Sequence, residues 1–407
     1  MLRFLFVPTY CERVVQRSFL GKNVFNLSVL QYKCSIRSYT KAIPSQSRLI
    51  GKWLFGLTGM TFGAVVLGGA TRLTESGLSM VDWHPFKEFP PLTHNAWVDE
   101  FEKYKQFPEY KYQIQQHGEM ELSQFKFIWL MEYAHRMWGR MIAVSFILPA
   151  AYFWSKGCFS KPMKIRVVAY GSLIGFQGLL GWLMVRSGLK DPQPPSSYQK
   201  GEPFHGIPRV DHFWLAAHLS AAAILFSLFA WGTMSHLSQH PPVKHFQNLK
   251  LLKVLGHGSK ALTFTTLVFG AFVAGLDAGL VYNSWPKMAD RWIPDDLIVP
   301  AYGSVAGNLL SNPTGVQFSH RILAYTTVLS TTALWAVVMR TGLSQTGSRI
   351  RVAAHMALVA AWAQSALGVL TLVNYVPVSL GVMHQGGSLL LLSSLLLFTY
   401  CLRAVPK

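Results

Sequence analysis

The sequence predicts an all-α membrane protein of eight transmembrane helices, arranged as two four-helix bundles related by a pseudo-twofold axis. Three observations carry that expectation. The 407-residue chain is 51% hydrophobic and only 14% charged, far below the roughly 25% charge of a soluble domain, and its mean hydropathy is positive. Eight apolar stretches reach the roughly 20 residues that a bilayer demands, near 53–71, 127–154, 167–185, 213–233, 261–281, 316–339, 352–375 and 379–401. The last four of these repeat motifs of the first four. Four cysteines are too few for a disulfide framework, so burial in lipid replaces stapling as the expected source of order.

Residues 1–48 read as a mitochondrial transit peptide. They hold Arg3, Arg13, Arg17, Lys22, Lys33, Arg37, Lys41 and Arg48 against the single acid Glu12, the Arg-rich, acid-poor composition that a membrane potential draws inward. The run Ile36-Arg37-Ser38-Tyr39-Thr40 resembles a processing site, with cleavage after Tyr39. Six bases and one acid would then leave, taking the net charge from +19 to +14. A basic arm for nucleic acid is the competing reading of such a segment. The membrane chain that follows disfavours it, and no nucleic-acid partner is expected.

The charges assign a topology. Glu12 lies in the leader and Glu132 in the second stretch; every other acid falls in or beside the connections 1–2, 3–4 and 5–6. The acid-free connections carry Lys156, Lys161, Lys164 and Arg166, then Lys244, Lys250, Lys253 and Lys260, then Arg340, Arg349 and Arg351. Positive residues stay inside, so both termini are expected in the matrix of a protein of the inner mitochondrial membrane. The chain divides into an N-terminal bundle 49–235 with an intermembrane-space loop 72–126 folded as a small helical cap, a matrix linker 236–260, and a C-terminal bundle 261–407.

The internal echo locates the chemistry. Phe62-Gly-Ala-Val-Val-Leu-Gly68 returns as Phe269-Gly-Ala-Phe-Val-Ala-Gly275, His135-Arg136 as His320-Arg321, Gln177-x3-Gly181 as Gln364-x3-Gly368, and His218 as His384. Each half contains an even number of spans, so the repeat is parallel. Counting about 1.5 Å per residue puts all four histidines at one depth, each near the start of a span descending from the outer side. Paired imidazoles across a four-helix bundle suit an iron porphyrin. Copper or zinc is the alternative occupant, as is a packing role for any single histidine; separation by whole helices favours a ligand as wide as a porphyrin. Arg136 and Arg321, with Arg140, Arg72 and Arg209, either pair with haem propionates or anchor helix ends. The halves differ at one position: Glu132 stands three residues before His135 where Gln317 stands before His320. Glu132 either pairs with Arg136 or Arg140, or moves a proton beside a reacting group.

Five runs now carry a resemblance: residues 68–84, Glu132-Tyr-Ala-His-Arg-Met-Trp-Gly-Arg140, Phe176-Gln-Gly-Leu-Leu-Gly-Trp182, residues 275–284 and Gln317-Phe-Ser-His-Arg-Ile-Leu323. Over about 53–401 the chain closely resembles the mitochondrial branch of the haem A synthase family. The resemblance implies an inner-membrane oxidoreductase that converts the C8 methyl of haem O, its substrate, to the formyl group of haem A, its product, for cytochrome c oxidase assembly. It implies haem b (protohaem) on His320 and His384, the substrate haem beside His135 and His218, and a catalytic Glu132. It also implies a ferredoxin-type electron donor, contact with haem O synthase and oxidase assembly factors, and a homo-oligomer. One departure stands out: bacterial relatives carry a cysteine pair in the first outer loop, and residues 72–126 contain no Cys, so no role of such a pair transfers. The rival readings are a bis-histidine b-type cytochrome that only moves electrons and a copper-handling assembly factor.

Overall fold

A computed structural model describes residues 45–82, 89–191, 208–238 and 246–403. Residues 1–44 of the expected leader, with its cleavage point after Tyr39, lie outside the described residues, as does part of the 236–260 connection, while residues 45–48 open the first helix. The described chain is helical: α1 (Ser45–Leu73), α2 (His94–Tyr104), α3 (Pro108–His117), α4 (Leu122–Ser155), α5 (Lys161–Gly188), α6 (His212–Leu237), α7 (Leu249–Gly275), α8 (Val305–Ser311), α9 (Pro313–Thr341), α10 (Leu343–Val373) and α11 (Val378–Cys401). Short 3-10 turns punctuate the segment between α7 and α8. No strand occurs among the described residues.

Seven of these helices (α1, α5, α6, α7, α9, α10 and α11) are long and apolar enough to cross a bilayer. Their outward sides expose large apolar residues such as Ile165, Leu329, Val359, Trp362 and Leu390, a surface that lipid solvates and water does not. The chain is a multi-pass membrane protein. Helix α4, at 34 residues, has the length of a span but carries Lys126, Glu132, Arg136 and Arg140 along its N-terminal part.

Local chemistry explains the helix starts that bear the site. Asp211 caps α6, its carboxylate accepting from the backbone of Phe213 and Trp214. Asn312 caps α9 by accepting from Thr314 N, with Pro313 in the first turn where its missing N–H is harmless. A capping box joins Glu121 to Gln124 at the start of α4. Pairwise packing then assembles the bundle: α1 lies against α4, α6 and α11, α7 lies against α9, α11 and α6, and α6 also meets α11.

The fifth span differs from the sequence expectation. Helix α7 runs from Leu249 to Gly275 rather than over 261–281, so residues 249–260 belong to it rather than to a linker. Lys250, Lys253 and Lys260 interrupt an apolar window without interrupting a helix, since Lys is a good helix former. At the other end Asp277 takes a left-handed conformation (φ 51°) and stops the helix early. Between α1 and α4 stand the short helices α2 and α3, and α2 packs on the N-terminal part of α4 through Phe101, Tyr104, Phe125 and Trp129.

Candidate functional site

His135 (α4), His218 (α6), His320 (α9) and His384 (α11) each rest their ring on a glycine of a neighbouring helix. A Cβ placed on Gly68 (α1), Gly181 (α5), Gly270 (α7) or Gly368 (α10) would stand 2.9, 3.4, 3.3 or 2.7 Å, respectively, from the Cε1 atom of these rings. The rings are half-buried. Nδ1 of His135, His218 and His320 is enclosed with no hydrogen-bond partner among the described residues.

The second pair is the better defined. The ring centroids of His320 and His384 are 6.4 Å apart with planes at 85°. Two metal–imidazole bonds of about 2 Å and two ring radii of about 1 Å span about 6 Å, so one metal fits between these rings as between the axial ligands of a haem. His135 and His218 are close enough to interact electrostatically. Among the described residues no group of three or more His, Cys, Asp and Glu gathers into a metal cluster, so the imidazole donors come in twos. The chemistry of the donors and their enclosed Nδ1 atoms therefore fit a bis-imidazole haem.

Two glutamines hold the helices that carry His218 and His384. Gln177 Nε2 donates to the His218 carbonyl at 3.0 Å, and Gln364 Nε2 donates to the His384 carbonyl at 2.8 Å. The Gln364 amide also lies 3.0 Å from His384 Nδ1. Its Oε1 is enclosed and unpartnered among the described residues.

Glu132, buried at 3% exposure, is fully engaged. Oε2 accepts from Ser79 Oγ and Met80 N, both at 2.8 Å, and Oε1 accepts from Arg136 at 2.7 Å. Arg136 also donates to the carbonyls of Met80 and Asp82. In the other half Gln317 donates to the carbonyls of Ala278 and Tyr282, and Arg321 donates to Gln317 Oε1 and to the carbonyls of Tyr282 and Lys287. Both pairs thus tie a ligand helix to the segment that follows α1 or α7. The carboxylate of Asp277 joins the two halves, accepting from Arg72 at 2.7 Å and from Arg209 at 3.0 Å.

Sequence reasoning missed Ser79 and Met80 as partners of Glu132, because more than fifty residues of chain separate them. It showed Gly68 and Gly270 only as positions within the internal echo. The signal for their role was present in the Gln-x3-Gly repeat of α5 and α10, whose glycine also faces a histidine. The unrepeated histidines serve elsewhere: His236 bonds Ser47 and His355 bonds Trp335.

Apolar helices enclosing the opposed imidazoles of His320 and His384 define a multi-pass membrane protein whose interior carries paired histidines. The model of the COX15-CtaA family, described as cytochrome oxidase assembly protein, matches residues 51–396. A mouse protein named heme A synthase COX15 is 49% identical over 371 residues, covering 90% of this chain and 86% of that protein. The heme A synthase COX15 of Saccharomyces cerevisiae is 36% identical, covering 93% and 81%, and the heme A synthase of Rhodospirillum centenum is 37% identical, covering 88% and 90%. The chain belongs to the COX15-CtaA family.

Proposed function

We propose that this chain is a mitochondrial haem A synthase, an oxidoreductase that converts the C8 methyl of haem O to a formyl group and so supplies haem A to cytochrome c oxidase. The observation that carries this reading is the coincidence of the family match over 51–396 with two opposed histidine pairs. The methyl is hydroxylated twice, and the geminal diol loses water to give the aldehyde.

In this reading α4 is an eighth span, and α1, α4, α5 and α6 form one bundle while α7, α9, α10 and α11 form the other. Support comes from mirrored packing: α1 meets α4, α6 and α11 as α7 meets α9, α11 and α6. Both termini face the matrix side of the inner membrane, following the distribution of Lys and Arg. His320 and His384 hold haem b, which supplies electron transfer when bound. His135 and His218 orient the substrate haem. Arg136 and Arg321 receive propionates on the outer side; in favour of this, Arg321 Nε is enclosed without an acceptor. Glu132 works through Oε1, which accepts only from Arg136 among its hydrogen bonds, while Ser79 and Met80 anchor Oε2. Oε1 takes up a proton released as the methyl is oxidised. A ferredoxin-type donor, haem O synthase and oxidase assembly factors are the partners such an enzyme meets, and a homo-oligomer is its assembled form.

Pigment extraction from the purified protein tests the reading. Haem b together with haem O or haem A is expected. Haem b alone would indicate an electron carrier.

A further inference from the structure

The four glycines under the histidine rings share more than proximity. The carbonyls facing the rings of His218, His320 and His384 belong to Gln177, Thr266 and Gln364. Each stands four residues before the glycine that seats the same ring, namely Gly181, Gly270 and Gly368. In an α-helix the carbonyl of residue i−4 accepts from the N–H of residue i, and its second lone pair stays free. Glycine at i removes the Cβ that would stand over that carbonyl, so an imidazole can settle on the helix surface with Nδ1 directed at the oxygen. At Gly181 and Gly270, where Nδ1 is the ring nitrogen nearest the glycine, a donor role for Nδ1 leaves Nε2 unprotonated and turned away from the helix, the state a metal ligand requires.

We propose that Gly68, Gly181, Gly270 and Gly368 are positioning residues that seat the four imidazoles on neighbouring helices, Gly181 and Gly270 also turning Nε2 away from the seat; this rests on the haem-binding reading above. The seats are unequal. Gly68 and Gly368 leave less than 3.0 Å for a Cβ against Cε1, and both ring nitrogens of His135 and His384 lie close by; Gly181 and Gly270 leave 3.4 and 3.3 Å. A methyl at the first two must displace the ring, whereas at the other two a shift of a few tenths of an ångström absorbs it. The tight seat belongs to the first histidine of one half and the second histidine of the other, so each half has one fixed and one adaptable wall.

The test uses full-length protein purified with its pigments, read by low-temperature absorbance and electron paramagnetic resonance. Wild type is expected to show a low-spin bis-imidazole signal; its absence would remove the haem reading itself. Gly368→Ala should weaken ligation about 10-fold, as loss of an orienting partner does, and convert the remaining haem b from low-spin to high-spin. A mere packing defect would lower protein yield without changing the spin state per haem. Gly270→Ala should keep most of the low-spin signal, and Gly258→Ala, on the same helix with open space around it, all of it. An unchanged low-spin signal in Gly368→Ala would overturn the proposal while leaving haem binding intact. Should that variant fail to accumulate, Gly68→Ala decides: the haem b signal of the other half reports folding, and the ratio of haem O plus haem A to haem b is expected to fall. An unchanged ratio would overturn the proposal.

Discussion

Glu132 shows how far a single residue can be read. Its Arg136 partner follows from the i,i+4 spacing, which places the two side chains on one helix face, and the structure contains that pair at 2.7 Å. Its other two bonds, from Ser79 and Met80, depend on how the segment after α1 returns to α4, and no local pattern encodes that return. The same three bonds set a prediction. Glu132→Gln keeps the shape and one carbonyl acceptor but removes the charge and the exchangeable proton, as Gln317 does in the second half. Pigment content should stay near wild type while haem A formation falls about 100-fold, the typical contribution of a positioned acid–base group. Chromatography of haem A and haem O from cells carrying only the variant measures it, and wild-type haem A would leave Glu132 a purely structural residue.

At the scale of elements, the helical cap formed by α2 and α3 carries its own titration. Glu109, in the first turn of α3, is 7% exposed, and burial pushes its carboxyl up to about 8; the charge of Arg72 works against the rise, while Glu132 and Glu75 reinforce it. The folded cap therefore keeps its proton where the unfolded chain has lost it. Between about pH 4.5 and about 8 the native state binds more protons than the unfolded state, so stability falls as pH rises across that window, by at most about 1.4 kcal/mol per unit. Glu109→Gln should flatten the dependence and raise the thermal midpoint at pH 7.5. A midpoint that follows pH as steeply as in wild type would place the titration elsewhere. Helix α7 shows what element-scale reading misses: three lysines hid twelve helical residues from an apolar window, and the stop at Asp277 depends on a left-handed residue bridged to Arg72 and Arg209 from the other half.

At the scale of the whole molecule, the seven helices that pass as spans stand where apolar stretches had been expected, because length and hydropathy are local properties. The pairing of histidines was legible too, since repetition at matched positions is visible in a linear chain. The floor beneath each ring was not, for a glycine has no side chain with which to announce a contact. The central claim concerns the two histidine pairs acting as separate haem clamps, and the protein lacking both imidazoles of the second pair tests it most directly. Purified His320→Ala/His384→Ala protein should lose the low-spin haem b signal and its electron route, yet keep pigment at His135 and His218. An undiminished low-spin haem b spectrum in that protein would contradict the account.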